Sequence, residues 1–338
     1  MAEPTPSRAR EKRPKRSPLA RVSDPAELRS HVGAWHDHGL RVGFVPTMGA
    51  LHEGHLSLVR RAHELADRVV VSIFVNPTQF GPGEDFEAYP RDMAADCRKL
   101  AGEACHLVFL PSVETMYPEG ESTFVDAGAP ALGFEGDERP GHFRGVATVV
   151  AKLFHLVQPD VAIFGQKDAQ QLAVVGSMVR DLHMPVKIVG APIVRDPDGL
   201  AMSSRNVYLS PAERQAAAVL FRSLTAAREA VEAGERSAEA VRLAVLAHLD
   251  AETRGSTDYV AVVDADSFAP LDSLEERRVT VAIAFRLGRT RLLDNIVLDL
   301  RGQARPVRGR GTESSARGAG AVEPPNTHSV RESAPATF

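Results

Sequence analysis

The chain has 338 residues, 43% hydrophobic and 25% charged, with a formal net charge of −4. That is the composition of a globular protein with room for one large or two ordinary domains. The charge offers no global case for nucleic-acid binding, and no apolar run is long enough to cross a membrane.

Residues 1–20 hold several prolines and the basic run Arg8–Arg16, and read as a disordered, solvated extension. The basic residues are not followed by the apolar core of a secretory signal. Cys97 and Cys105 form no C-x-x-C pair and suggest no disulfide framework, which points to a reducing, cytoplasmic setting. From Arg41 to about Gly190, apolar runs alternate with amphipathic stretches. The runs are Val42–Val45, Val69–Val75, Leu107–Leu110, Val161–Phe164 and Val186–Val189. Between them lie helical patterns at Leu56–Ala66, Met93–Leu100, Val146–Leu156 and Gln170–Leu182. Val- and Ile-rich runs without polar alternation predict strands buried on both faces, and the intervening helices predict βαβ units. The fold class is therefore α/β, with a Rossmann-like parallel-sheet domain over residues 21–193.

Beyond that point the texture changes. Ser210-Pro211-Ala212-Glu213 reads as an N-cap with proline at N1, opening one long Ala-rich helix. A second helix over Ser237–Glu252 and strands at Asp258–Val263, Val279–Phe285 and Arg291–Leu298 complete a smaller α+β domain over 194–300. Residues 301–338, rich in Gly, Pro, Ser and Arg, read as a disordered tail.

The sharpest motif is Pro46-Thr47-Met48-Gly49-Ala50-Leu51-His52-Glu53-Gly54-His55, between a strand and a helix. Helix N-termini attract anions through unpaired N–H groups and the macrodipole. Two imidazoles there can hydrogen-bond phosphate oxygens, and Gly54 would let a flat ligand approach the backbone. An H-x-G-H arrangement suggests ATP presented for attack at its α-phosphate, and its spacing does not match the zinc pattern H-E-x-x-H. Asn76 and Gln79, at the end of the second strand, would project neutral amides into the same crevice, although Asn76-Pro77 is also a turn former. Gly165-Gln166-Lys167-Asp168 closes another strand, where Lys167 would offset charge developing on phosphate and Asp168 would hold a ribose hydroxyl or cap the next helix. Met202-Ser203-Ser204-Arg205-Asn206 supplies hydroxyls and a guanidinium suited to β- and γ-phosphates.

Magnesium usually accompanies ATP, held mainly by phosphate oxygens. Asp92, Asp96 and Glu135 are the acidic candidates near it, with Asp92 better explained as a helix cap. His142 and Arg144 sit in a Gly-flanked entry to a helix and are weaker candidates for substrate contact. No Walker loop, G-x-S-x-G elbow or reactive cysteine motif is present. Attack is then direct, between bound substrates.

Together these motifs, with Tyr89-Pro90-Arg91, Gln171 and the closing run Leu293-Asp294-Asn295-Ile296, resemble the pantothenate synthetase family over roughly residues 20–300. The resemblance implies ATP-dependent condensation of pantoate and β-alanine to pantothenate, AMP and pyrophosphate through pantoyl adenylate, in a homodimer. It implies that His55 is catalytic, assisted by His52 and Lys167. Met48, Gly49, Ala50, Leu51, His52, Glu53, Gly54 and His55 would line the ATP site. So would Gly165, Gln166, Lys167, Asp168 and Val194, with Met202, Ser203, Ser204 and Arg205. Gln79 would hold pantoate and β-alanine, Gln171 pantoate, with Asn76 beside them, and Asp96 is the nearest match to a metal ligand. Departures are Ala94-Ala95, where relatives often have acidic residues, and Gln166, where Glu is frequent. The alternative is another H-x-G-H adenylyl- or nucleotidyltransferase, or an aminoacyl-tRNA synthetase fragment.

Overall fold

The structure is a computed structural model that describes residues 18–302, apart from Glu276. The basic run Arg8–Arg16 and the tail from residue 303 lie outside the described residues, and so do the disorder readings made for them.

Six parallel strands form the main sheet: β1 (Ala20–Val22), β2 (Val42–Thr47), β3 (Arg68–Ile73), β4 (Leu107–Phe109), β5 (Val161–Gly165) and β6 (Lys187–Ala191), in the order β1-β4-β3-β2-β5-β6. The four central strands are almost wholly buried, as continuous apolar runs require. Helices α1 (Pro25–Asp37), α6 (His142–Val157) and α7 (Ala169–Asp181) cover one face, around Phe44, Phe109 and Phe154. Helices α2 (Glu53–Leu65) and α3 (Met93–Gly102) cover the other, around Val45, Val71 and Ile163, and the short helices α4 (Val113–Met116) and α5 (Glu135–Glu138) fall between β4 and α6. From β2 the chain adds β3 and then β4 on one side, whereas β5 and β6 lie on the other. The order therefore reverses between β2 and β5, and open parallel sheets bind ligands beyond the carboxyl ends at such a point.

Every strand and helix expected between Arg41 and Gly190 is present, with ends shifted by a few residues. Two corrections apply nearby. Ala20, placed by sequence in the disordered extension, pairs with Leu107 in edge strand β1. Helix α1, capped by Asp24 and carrying proline at N1, has only Leu28 and Val32 buried, too thin a stripe to show as periodicity.

The second sheet is antiparallel: β7 (Gly255–Asp264), β8 (Arg278–Leu287) and β9 (Thr290–Asp299). Helices α9 (Val219–Glu232) and α10 (Ala238–Leu249) pack on it around Leu220, Leu224, Leu249 and Phe285. The single long helix expected from Ser210 is instead two, α8 (Pro211–Ala216) and α9. At Ala217 and Ala218 ψ rises to −23° and −13°, and Leu220 N–H turns to the Ala217 carbonyl at 3.2 Å. That tightening is 3₁₀ in character. Both alanines are buried there, and no local breaker marks the change. Among the described residues no helix is long and apolar enough to cross a membrane.

Candidate active site

The cleft lies between the carboxyl ends of β2 and β5. On the β2 side, Gly49 and Ala50 both take positive φ, +84° and +50°, and turn the chain into α2. A Cβ on Gly49 would also sit 3.0 Å from Ile73 and 3.1 Å from Asp96, so the turn needs glycine on two counts. Helix α3 pins the turn from beneath: Leu51 N–H donates to Asp96 Oδ1 at 2.9 Å, and Lys99 Nζ donates to the Leu51 carbonyl at 2.5 Å.

His52 is the N-cap of α2. Its Nδ1 accepts from Gly54 N–H at 3.2 Å, while its own N–H donates to His55 Nδ1 at 3.3 Å. With both Nδ1 atoms accepting from backbone, each neutral ring carries its proton on Nε2. The rings lie 4.1 Å apart and line the cleft. A Cβ at Gly54 would come within 2.8 Å of the His52 ring. The glycine therefore admits the histidine over the backbone, and it lines the cleft itself.

Burial, then Lys167 and Lys99, push the His52 pKa down to about 4. Burial, then His52 and Lys167, push His55 down to about 3. Both rings are therefore neutral donors near neutral pH. Because these folded values lie below the free-histidine value, the associated stability is present above about pH 6.5 and is lost as pH falls toward about 4 for His52 and about 3 for His55. The expected kcat/KM profile for ATP shows no inflection from these rings between about pH 6 and 7, and falls only below about pH 5. An inflection near pH 6.5 that disappears on replacing either histidine would contradict this.

On the β5 side, Lys167 projects into the cleft with its Nζ 3.5 Å from Asp168 Oδ1. Burial opposes ionisation of Asp168, but Lys167 and Arg205 outweigh it and hold its pKa below the usual carboxylate value. Asp168 stands at the N-cap of α7, yet its side chain makes no capping bond and stays on the cleft wall. The β5 turn is fixed from the second sheet. Asn295 Nδ2 donates to the Gln166 and Lys167 carbonyls at 2.9 and 2.8 Å. Arg195 grips the fully buried Asp294 carboxylate with both Nη atoms, at 2.6 and 2.9 Å, and stacks on Phe221. The run Leu293–Ile296 entered the sequence reading only as resemblance, and this is its physical role.

Gln79 and Gln171 both line the cleft. Asn76 does too, but it is 1% exposed and its amide is consumed. Nδ2 donates to Gln79 Oε1 and the Gly145 carbonyl, while Oδ1 accepts from the Tyr117 hydroxyl and Thr78. The turn reading wins: Asn76 caps the short turn Pro77–Gln79 and orients Gln79. The Gln79 carbonyl is held in turn by His142 Nδ1 at 2.8 Å and Arg139 Nη2 at 3.3 Å. Burial and Arg139 push His142 down to about 4, so it is a neutral donor as well. His142 therefore reaches the cleft, whereas Arg144 lies over Phe124 outside it. Arg139 was missed because nothing in its local sequence marks it. An apolar wall of Val146, Val149, Val150 and Leu153 from α6, with Phe164, completes this end.

Met202, Ser203, Ser204 and Arg205 close the far side with Val194, whose carbonyl accepts from Met202 N–H at 3.0 Å. The Arg205 guanidinium is engaged by Asp85, Nη2 to Oδ1 at 2.9 Å and Nε to Oδ2 at 3.2 Å.

Met48, His52, Gly54, His55 and Gly165–Asp168 thus line the cleft as expected. Gly49, Ala50, Leu51 and Glu53 do not line it. The first three shape the turn, and Glu53 pairs with Arg60 on the surface. Asp96, the expected metal ligand, lies buried under that turn, where its Oδ1 accepts from Leu51 N–H and supports the loop. Asp92 caps α3 through Ala95 N–H at 2.8 Å. Glu135, at 5% exposure, is bound by Tyr259 and Arg291. Among the described residues no cluster of three or more His, Cys, Asp or Glu side chains is placed to hold a metal.

Known proteins of similar sequence and fold share one family. The family described as pantoate-beta-alanine ligase matches residues 20–297. Pantothenate synthetase of Roseiflexus castenholzii is 56% identical over 278 residues, 82% of this chain and 99% of that protein. The counterpart from Heliobacterium modesticaldum is 56% identical over 262 residues, 78% of this chain and 93% of its own length. The crystal structure of pantothenate synthetase from Thermus thermophilus superposes with a TM-score of 0.75 at 50% identity, covering 82% and 99% of the two chains. A pantoate-beta-alanine ligase from Francisella tularensis, described as complexed with beta-gamma ATP and beta-alanine, gives 0.66 at 30% identity, covering 82% and 97%. With its cleft motifs inside the matched span, this chain belongs to the pantoate-beta-alanine ligase family.

Proposed function

We propose that the cleft condenses pantoate with β-alanine in two displacements. In the first, a pantoate carboxylate oxygen attacks the α-phosphorus of ATP, the bond to the bridging oxygen breaks, and pyrophosphate leaves with its electron pair. In the second, the β-alanine amine attacks the acyl carbon of pantoyl adenylate, AMP departs, and the amine loses a proton. ATP-dependent ligation is the activity of the family, and a relative carrying ATP and β-alanine supports the substrate set.

The observation that carries the residue roles is the facing pair of donor groups at the switch point. His52 and His55 present neutral Nε2–H donors from the β2 side, and Lys167 presents a cation from the β5 side. Fixed donors aimed at the place where charge develops stabilise the transition state without reorganisation. Ser203, Ser204 and Arg205 would take the outer phosphates. Gln79 and Gln171 would hold the hydroxyls and carboxylate of pantoate, its methyl groups lying on the Val146–Leu153 wall, and Gln79 would also meet β-alanine. Magnesium would enter on the ATP phosphates, since the acidic side chains nearby are engaged elsewhere.

We further read the chain as two domains, 21–193 and 194–300, with the second holding the β5 turn through Asn295. A cytoplasmic homodimer that binds neither nucleic acid nor membrane fits the two unpaired, buried cysteines and the modest net charge. ATP–pyrophosphate exchange tests the chemistry: exchange should require pantoate, and adding β-alanine should then release free AMP. Exchange driven by an amino acid in place of pantoate would overturn the reading.

A further inference from the structure

Arg205 lines the cleft on the side assigned to the outer phosphates, yet its guanidinium is already occupied. Asp85 engages Nε and Nη2, one complete edge of the fork, in the bidentate geometry that a phosphate would use. The neighbouring residue does the same with another guanidinium: Glu84 accepts from Arg139 Nε at 2.7 Å and Nη2 at 2.6 Å. One surface loop thus places two consecutive carboxylates on two cleft arginines. The Tyr208 hydroxyl adds a bond to the Ala88 carbonyl at 3.3 Å, docking the loop on the turn that carries Arg205. The Asp85–Arg205 pair is partly exposed, at 25% and 34% of the side chains. Water reaches such a pair, so a bound anion can exchange with the carboxylate, at a cost set by its bidentate geometry. Behind it opens a second cleft, lined by Glu84, Asp85, Glu138, Arg286 and Arg289, which offers the Asp85 carboxylate space when it leaves Arg205, with Arg286 there already paired to Asp258.

We propose that Asp85 is an intramolecular stand-in for the ATP polyphosphate. It holds Arg205 ready beside the cleft, yields the guanidinium edge to the outer phosphates, and reclaims it as pyrophosphate departs. Asp85 is then a positioning residue with an opposing effect: it lowers affinity for ATP and pyrophosphate while keeping the guanidinium in place. The inference rests on the assignment of the outer phosphates to Arg205.

Titration calorimetry with ATP, and pyrophosphate product inhibition, test it on the full-length chain. Asp85→Asn should tighten both ATP and pyrophosphate by roughly two- to fivefold, the range for exchanging a partly exposed ion pair. Glu84→Gln, which loosens the same loop at the other arginine, should leave ATP affinity within about twofold, and the tightening should vanish in an Arg205→Ala background. A purely structural Asp85 would weaken ATP binding on substitution. Weakened or unchanged affinity in Asp85→Asn, or equal tightening in Glu84→Gln, would overturn the inference and leave the phosphate assignment intact. Wild-type ATP affinity in Arg205→Ala alone would overturn both.

Discussion

Lys167→Ala is expected to lower kcat by about 10²–10³, the cost of removing one preorganised group from developing phosphate charge. The side chain has Asp168 as its ion-pair partner, and the Lys167 carbonyl is held by Asn295 whatever the side chain. The β5 turn should therefore keep its shape, so the loss is catalytic. His55→Ala should cost about 10² or more on the same grounds, with the added loss of the His52 N–H partner. Steady-state formation of AMP measures both, with circular dichroism as the check on folding. Wild-type turnover in both variants would remove these residues from the mechanism.

Arg195→Ala is expected to destabilise the protein by about 3–5 kcal/mol, because it strands a buried carboxylate. Asp294 is fully buried, and burial raises its pKa even with Arg195 beside it. Arg195 also binds the Gly199 and Asn295 carbonyls, and Asn295 in turn holds the carbonyls of Gln166 and Lys167. Activity should consequently fall along with stability, although neither Arg195 nor Asp294 lines the cleft that holds His52 and His55. Urea denaturation read by fluorescence or circular dichroism gives the stability change. A midpoint within error of wild type would show that the pair is dispensable.

The strands were legible because burial on both faces leaves an uninterrupted apolar run, which is a local property of sequence. The motifs were legible because turns and helix caps demand particular residue types at fixed spacing. His52, His55, Lys167 and Gln79 are accordingly placed beyond strand ends by sequence alone. The break between α8 and α9 was not legible, since buried alanines signal helix at every position. Nor was the difference between Asn76 and Gln79. Both are amides at one strand end, but the bonds from Tyr117 and to Gly145 that consume Asn76 come from residues about 40 and 70 positions away.

The same reason separates the two halves of the H-x-G-H segment. The sequence by itself determined the strand–turn–helix setting of the H-x-G-H segment, the α/β class and the family, all of which follow from local spacing and order. Only the tertiary structure decided the protonation of the histidines, which depends on burial and on Lys167 from another strand. It also decided that Asp96 supports a loop, that Glu135 answers Arg291, and that Arg205 meets Asp85. Charged side chains take their roles from partners, and folding alone chooses the partner.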